Sequence, residues 1–101
     1  MSRLELHEEL CTILGNRNVY YDPPETVKMS YPGIVYNLSG LDTRAANNNT
    51  YNSIRQYTLT LIETNPDSNK FDEIIRHFMM CRLDRVYKSD NLIHYVYTLY
   101  Y

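Results

Sequence analysis

A chain of 101 residues with a formal net charge of -2 has room for one modest hydrophobic core, so residues 1–101 are expected to form a single domain. At 44% hydrophobic and 22% charged residues, intrinsic disorder and fibrous structure are disfavoured, and the interspersed signs leave no Lys/Arg run that neutralises several phosphates at once. Apolar runs of only a few residues are too short for a membrane-spanning helix. Glu5, His7, Glu8 and Glu9 interrupt the stretch where a signal peptide would be apolar, which points to a cytoplasmic product.

In chain order, Leu6, Leu10, Ile13 and Leu14 fall at i, i+4, i+7 and i+8, which predicts an amphipathic helix over residues 3–14 stopped by Gly15-Asn16. A short β-type run, residues 18–21, is ended by Asp22-Pro23-Pro24, an extended and stiff connection. Tyr31-Pro32 leads into a strand over residues 33–38, closed by Ser39-Gly40 and read as the central strand. Residues 41–53 are polar, with Asn47-Asn48-Asn49-Thr50 in the middle, and read as a long loop or the tip of a hairpin. Residues 54–63 resume as a strand in which Tyr57, Leu59 and Leu61 alternate with Thr58, Thr60 and Ile62. Asn65-Pro66-Asp67-Ser68 reads as a helix start, and Phe71, Ile74, Ile75 and Phe78 give a second amphipathic helix to about Met80. Residues 83–87 and 92–100 form a C-terminal hairpin around Lys88-Ser89-Asp90-Asn91. The expected fold is α+β: a single two-layer domain with a mainly antiparallel sheet of about four to five strands and two helices packed on one face.

Catalytic chemistry finds little purchase in this sequence. His7, His77 and His94 lack metal-ligand spacing; His77 and Cys81, four apart, supply two ligands at best if both lie on a helix. His77 reads as the polar edge of the second helix, and His94 as a structural partner of an acid such as Asp90. Asp84 with Asp90, or Asp22 with Glu25, are the carboxylates that pairing in space would make notable. No nucleophile elbow or Gly-rich phosphate loop is present, so no enzyme activity, no cofactor and no metal are expected. Cys11 and Cys81 read as buried free thiols.

The unusual quantity is tyrosine, 11 residues against two Phe and no Trp, a side chain suited to surfaces that are dry in a complex and wet before it. Equally, Tyr favours strands and covers half-exposed sheet faces. Tyr95, Tyr97, Tyr100 and Tyr101, carried to the end of the hairpin, suggest an aromatic edge that invites association.

Taken in order, the pieces resemble a family of short phage virion proteins, the tail-terminator or tail-completion proteins. The pieces are a leading helix; Asn18-Val19-Tyr20-Tyr21 with Pro23-Pro24; Met29 with Tyr31-Pro32-Gly33-Ile34-Val35-Tyr36; and Ala46-Asn47-Asn48 with Tyr51. They continue through Tyr57-Thr58-Leu59-Thr60-Leu61-Ile62, Pro66-Asp67-Ser68 before a helix, and Asp84-Arg85 followed by Asp90-Asn91-Leu92 with His94. The resemblance implies a homohexameric ring that caps the tail tube and joins it to the neck. Its partners would be the chain itself, the tail-tube protein and a neck or head-completion protein, with DNA only as transient cargo and no membrane. Contacts are then expected from Tyr20, Tyr21, Pro23, Pro24, Arg44, Asn47, Asn48, Tyr51, Arg55, Tyr95, Tyr97, Tyr100 and Tyr101. Another neck subunit, or a non-virion protein-binding adaptor acting as monomer or dimer, are the alternatives.

Overall fold

The computed structural model of the protein describes residues 3–24, 28–42 and 54–101. Among them, helix α1 (Arg3–Leu14) is followed by β1 (Val19–Tyr21), β2 (Gly33–Asp42), β3 (Ile54–Glu63), α2 (Lys70–His77), β4 (Cys81–Ser89) and β5 (Leu92–Tyr100). The strands form one sheet in the order β1-β2-β3-β5-β4, with β1 parallel to β2 and the other pairings antiparallel. This is the expected α+β architecture, a two-layer domain in which both helices cover the same face.

The period-2 pattern decides which face that is. Register places Ile34 opposite Leu61, Tyr36 opposite Leu59, Leu59 opposite Tyr97 and Tyr57 opposite Leu99, so these side chains form a continuous apolar layer. Leu6 and Leu10 from α1, and Ile74 and Phe78 from α2, close over it, and Leu6, Leu10, Ile34, Leu59, Leu61, Ile74, Tyr97 and Leu99 are fully buried. Burying tyrosine there requires partners for the hydroxyls. Tyr97 donates to the Phe71 carbonyl at 2.9 Å, and the Tyr36 hydroxyl lies 2.8 Å from His7 Nδ1 and accepts from Arg3 at 3.3 Å. Burial, ahead of the nearby Arg3 charge, holds the His7 ring below its usual pKa, so its neutral form is the one that faces Tyr36.

Several boundaries differ from the sequence expectation. Ser39-Gly40 does not close β2. The strand runs on to Asp42 through a register shift between Leu38 and Gly40, with Ser39 Oγ donating to the Gln56 carbonyl at 3.1 Å. A glycine inside a strand marks a bulge as readily as a stop. Leu41 and Asp42 therefore belong to a strand, and the rest of the expected loop, 43–53, lies outside the described residues.

The second helix is also shorter than expected at both ends. Asn65 caps a turn instead of the helix, its Oδ1 accepting from Asp67 N at 3.0 Å, and the helix starts only at Lys70, with Asp72 and Glu73 in its first turn. Extended backbone at Phe78 then ends it before Met79 and Met80, so Cys81 opens β4 and does not share a helix with His77. In the hairpin, Asp90 and Asn91 take φ of 54° and 64°, the left-handed pair of a two-residue type I′ turn. Gly33 sits where a Cβ would lie 2.7 Å from the Ser30 carbonyl oxygen, a close backbone approach that no other residue permits.

Candidate functional site

The sheet order overturns one expectation outright. β5 lies between β3 and β4 and is not an edge; Tyr95 is 8% exposed and Tyr97 fully buried, so both belong to the core and offer no surface. The free edges are β1, only three residues long, and β4, nine residues long and largely exposed. Tyrosine content alone could not show this, because whether a terminal hairpin docks by its first or second strand depends on which strand is apolar on both faces. The signal was present in Leu92–Tyr100, more apolar than its partner Cys81–Ser89.

Along β4, Leu83 still faces the helices opposite Tyr97, but a register shift between Leu83 and Arg85 inserts Asp84 as an extra residue. Asp84 accepts from Arg82 Nε at 2.7 Å and from Thr98 Oγ1 at 2.5 Å, and these two hydrogen bonds hold its carboxyl below the usual range. The expected pairing with Asp90 does not form, because Asp90 lies in the turn six residues further along the hairpin. Beyond the bulge the strand carries Val86 at 50% and Tyr87 at 42% exposure. The Arg85 guanidinium lies 5.3 Å from the Tyr87 ring centroid, and Tyr87 stacks on His94 at 4.7 Å. His94 Nδ1 lies 3.1 Å from the Leu92 carbonyl, which replaces the expected partnership with Asp90 because the turn carries Asp90 beyond the strand.

At the other end of β4 the helices stop short of the sheet and leave a cavity of about 660 Å³, lined by Glu5, Glu9, Ile54, Arg55, His77, Phe78, Met79, Met80, Tyr100 and Tyr101. Backbone bonds anchor its floor: Tyr100 N donates to the Met80 carbonyl and Tyr101 N to the Arg55 carbonyl, both at 2.9 Å. Its wall is tied by Glu9. His77 Nε2 lies 2.8 Å from Glu9 Oε1, and the Tyr101 hydroxyl donates to Glu9 Oε2, so one carboxylate joins α1, α2 and the end of β5. Partial burial pushes the Glu9 pKa up, but the Tyr101 and His77 hydrogen bonds outweigh it and hold the group below its usual value. An ionised carboxylate only accepts, so Nε2 carries the His77 proton. Burial and the Glu9 contact push the Tyr101 hydroxyl well above its ordinary pKa.

Of the residues singled out from sequence, Arg55, Tyr100 and Tyr101 meet at this cavity. Tyr20, Tyr21, Pro23 and Pro24 gather at the β1 edge. There the Tyr20 hydroxyl accepts from Ser30 N at 3.1 Å, and Tyr21, 37% exposed, lies under the Arg3 guanidinium at 4.5 Å. Pro23 is half-buried and Pro24 exposed, while Arg44, Asn47, Asn48, Tyr51 and Glu25 lie outside the described residues. The His77–Glu9 pair was missed, because 68 positions separate its members and no local pattern links them.

Cys11 is buried; Cys81 is half-buried, and burial pushes its thiol up to about 11, so both are free and chemically quiet. Among the described residues no group of three His, Cys, Asp or Glu is placed to hold a metal ion, and no helix is long and apolar enough to cross a membrane. No protein-family model matches the sequence, and no curated protein matches it either.

Proposed function

We propose that this protein is an assembly module of the phage virion, a subunit of a ring that caps the tail tube and joins it to the neck. The observation that carries the reading is β4, a nine-residue edge strand whose outer half leaves Val86 and Tyr87 open to solvent. A free strand edge is a liability that proteins blunt with charge and bulges. Here Arg82, Arg85, Lys88 and the Asp84 bulge discourage indiscriminate strand pairing, while the exposed apolar side chains keep a surface that a specific partner can cover. The ordered set of motifs resembling tail-terminator proteins supplies the identity of that partner: further copies, the tube protein and a neck protein. DNA is cargo and not a ligand, in keeping with a net charge of -2.

In this reading the His77–Glu9–Tyr101 cluster is a structural tie. A histidine beside an acid in a cavity is also what an enzyme would need, and His77→Ala separates the two. A folded variant that lost a measured turnover would overturn the structural reading. The main test is mass by light scattering after size exclusion over a range of concentrations, with negative-stain imaging of the same fractions. A closed ring of about six copies, or rings on the ends of added tail tubes, is expected. A monomer at every concentration that also ignores tube ends sinks the proposal and leaves the adaptor alternative.

A further inference from the structure

We infer that neighbouring copies join head to tail, the exposed β4–β5 hairpin of one seated in the Met79/Met80 cavity of the next. The inference rests on the ring reading and adds to it which surfaces meet.

The two features are complementary in chemistry. The cavity is walled by Ile54, Phe78, Met79 and Met80, with Met79 97% exposed, an extreme for a side chain that gains from burial. Methionine is also the side chain that best adapts to an incoming surface. Among the described lining residues Glu5 and Glu9 stand with Arg55 and His77, and the hydrogen bonds from Tyr101 and His77 hold Glu9 ionised. The hairpin edge offers the converse on both of its faces, exposed Val86 with Lys88 on the helix-bearing side and exposed Tyr87 with Arg85 on the other. An apolar knob with basic flanks faces an apolar hole with acidic flanks.

Placement fits as well. The cavity sits where β4 begins and β5 ends, and the hairpin turn at Asp90-Asn91 lies at the opposite end of the same nine-residue strands, about 30 Å away at the usual rise per residue. Val86 and Tyr87 themselves lie about 15–20 Å along β4 from Cys81, too far to fill the cavity within one chain. On the ring reading each copy gives its knob to one neighbour and its hole to the other, a heterologous contact that propagates until rotation closes it into a ring. A volume of about 660 Å³ lies within the roughly 300–1,000 Å³ typical of clefts that bury a ligand.

Two variants test the contact: Met79→Lys puts into the hole the same charge that Arg85 and Lys88 bring to it, and Val86→Asp spoils the knob. Both positions are exposed, and circular dichroism with a thermal melt confirms folding; Met79→Arg and Lys88→Glu stand in where either variant misfolds. With wild-type protein that assembles alone or on tube ends, each variant by itself is expected to assemble at least tenfold more weakly. An equimolar mixture should form a species of twice the chain mass and no larger, because the knob of the first variant fits the hole of the second and neither end can grow. Variants that assemble like wild type, or a mixture without the two-chain species, overturn this contact while leaving the ring reading standing. Wild-type protein that stays monomeric alone and with tubes overturns both.

Discussion

Glu9 shows how much one surface side chain can organise. It receives Tyr101 and His77 at once, and Asp84 receives Thr98 and Arg82 in the same manner at the bulge. Both carboxyls are held below their ordinary pKa, so each contributes stability that is fully present above the unfolded value, near pH 4, and is lost as pH falls through the lower folded value. The urea midpoint is expected to fall between pH 5 and pH 2, and a Glu9→Gln, Asp84→Asn double variant should show a flatter profile over about that window. Because the His77 ring is 42% exposed, His77→Ala should cost no more than about 1 kcal/mol, and Tyr101→Phe should cost about the same through a single lost hydrogen bond. At Cys81 the thiol, pushed up to about 11, should react slowly with a thiol reagent at pH 8 in native protein and fast in urea.

Hairpin geometry makes the clearest demand on an element. Asn91 at φ 64° sits where β-branched residues are strained, so Asn91→Val should lower stability by about 1–2 kcal/mol and Asn91→Gly should leave it near wild type, read from denaturant midpoints. That turn was legible in the sequence, as were α1 from the spacing of Leu6, Leu10 and Leu14 and β3 from the alternation of Tyr57, Leu59 and Leu61. Local chemistry encodes these features, and local chemistry is what a single sequence displays. Features decided across the sheet were not legible. Gly40 reads as a stop, yet pairing with Gln56 carries β2 past it; Pro66 reads as a helix start, yet the Asn65 turn delays the helix to Lys70. The candidate site divides along the same line. Arg55, Tyr100 and Tyr101 were singled out by type and do meet at the cavity, but Glu9, His77, Met79 and Met80 complete it through tertiary placement alone. Tyr95 and Tyr97 were misassigned because a tyrosine-rich strand looks the same at an edge and at the centre of a sheet.

For the molecule as a whole, one apolar layer beneath two helices carries the stability. Leu59, fully buried between Tyr36 and Tyr97, lies at its middle, so Leu59→Ala should cost about 2–5 kcal/mol, measurable by urea denaturation. The sheet order has a kinetic consequence. β2 with β3, and β4 with β5, pair between strands that are consecutive in the chain, whereas β3 meets β5 only across the intervening α2 and β4. The seam from Gln56–Tyr100 to Glu63–Ile93 therefore carries the larger loop-closure entropy, and forming it is the step expected to set the folding rate. Truncating Leu61 or Tyr97 at that seam should slow refolding in stopped-flow experiments. Truncating Val86 near the hairpin turn should leave refolding unchanged and show its effect, if any, in unfolding. The protein is two hairpins stitched along one line, and the stitch, more than either hairpin, governs how long a newly made chain stays open to the wrong neighbours.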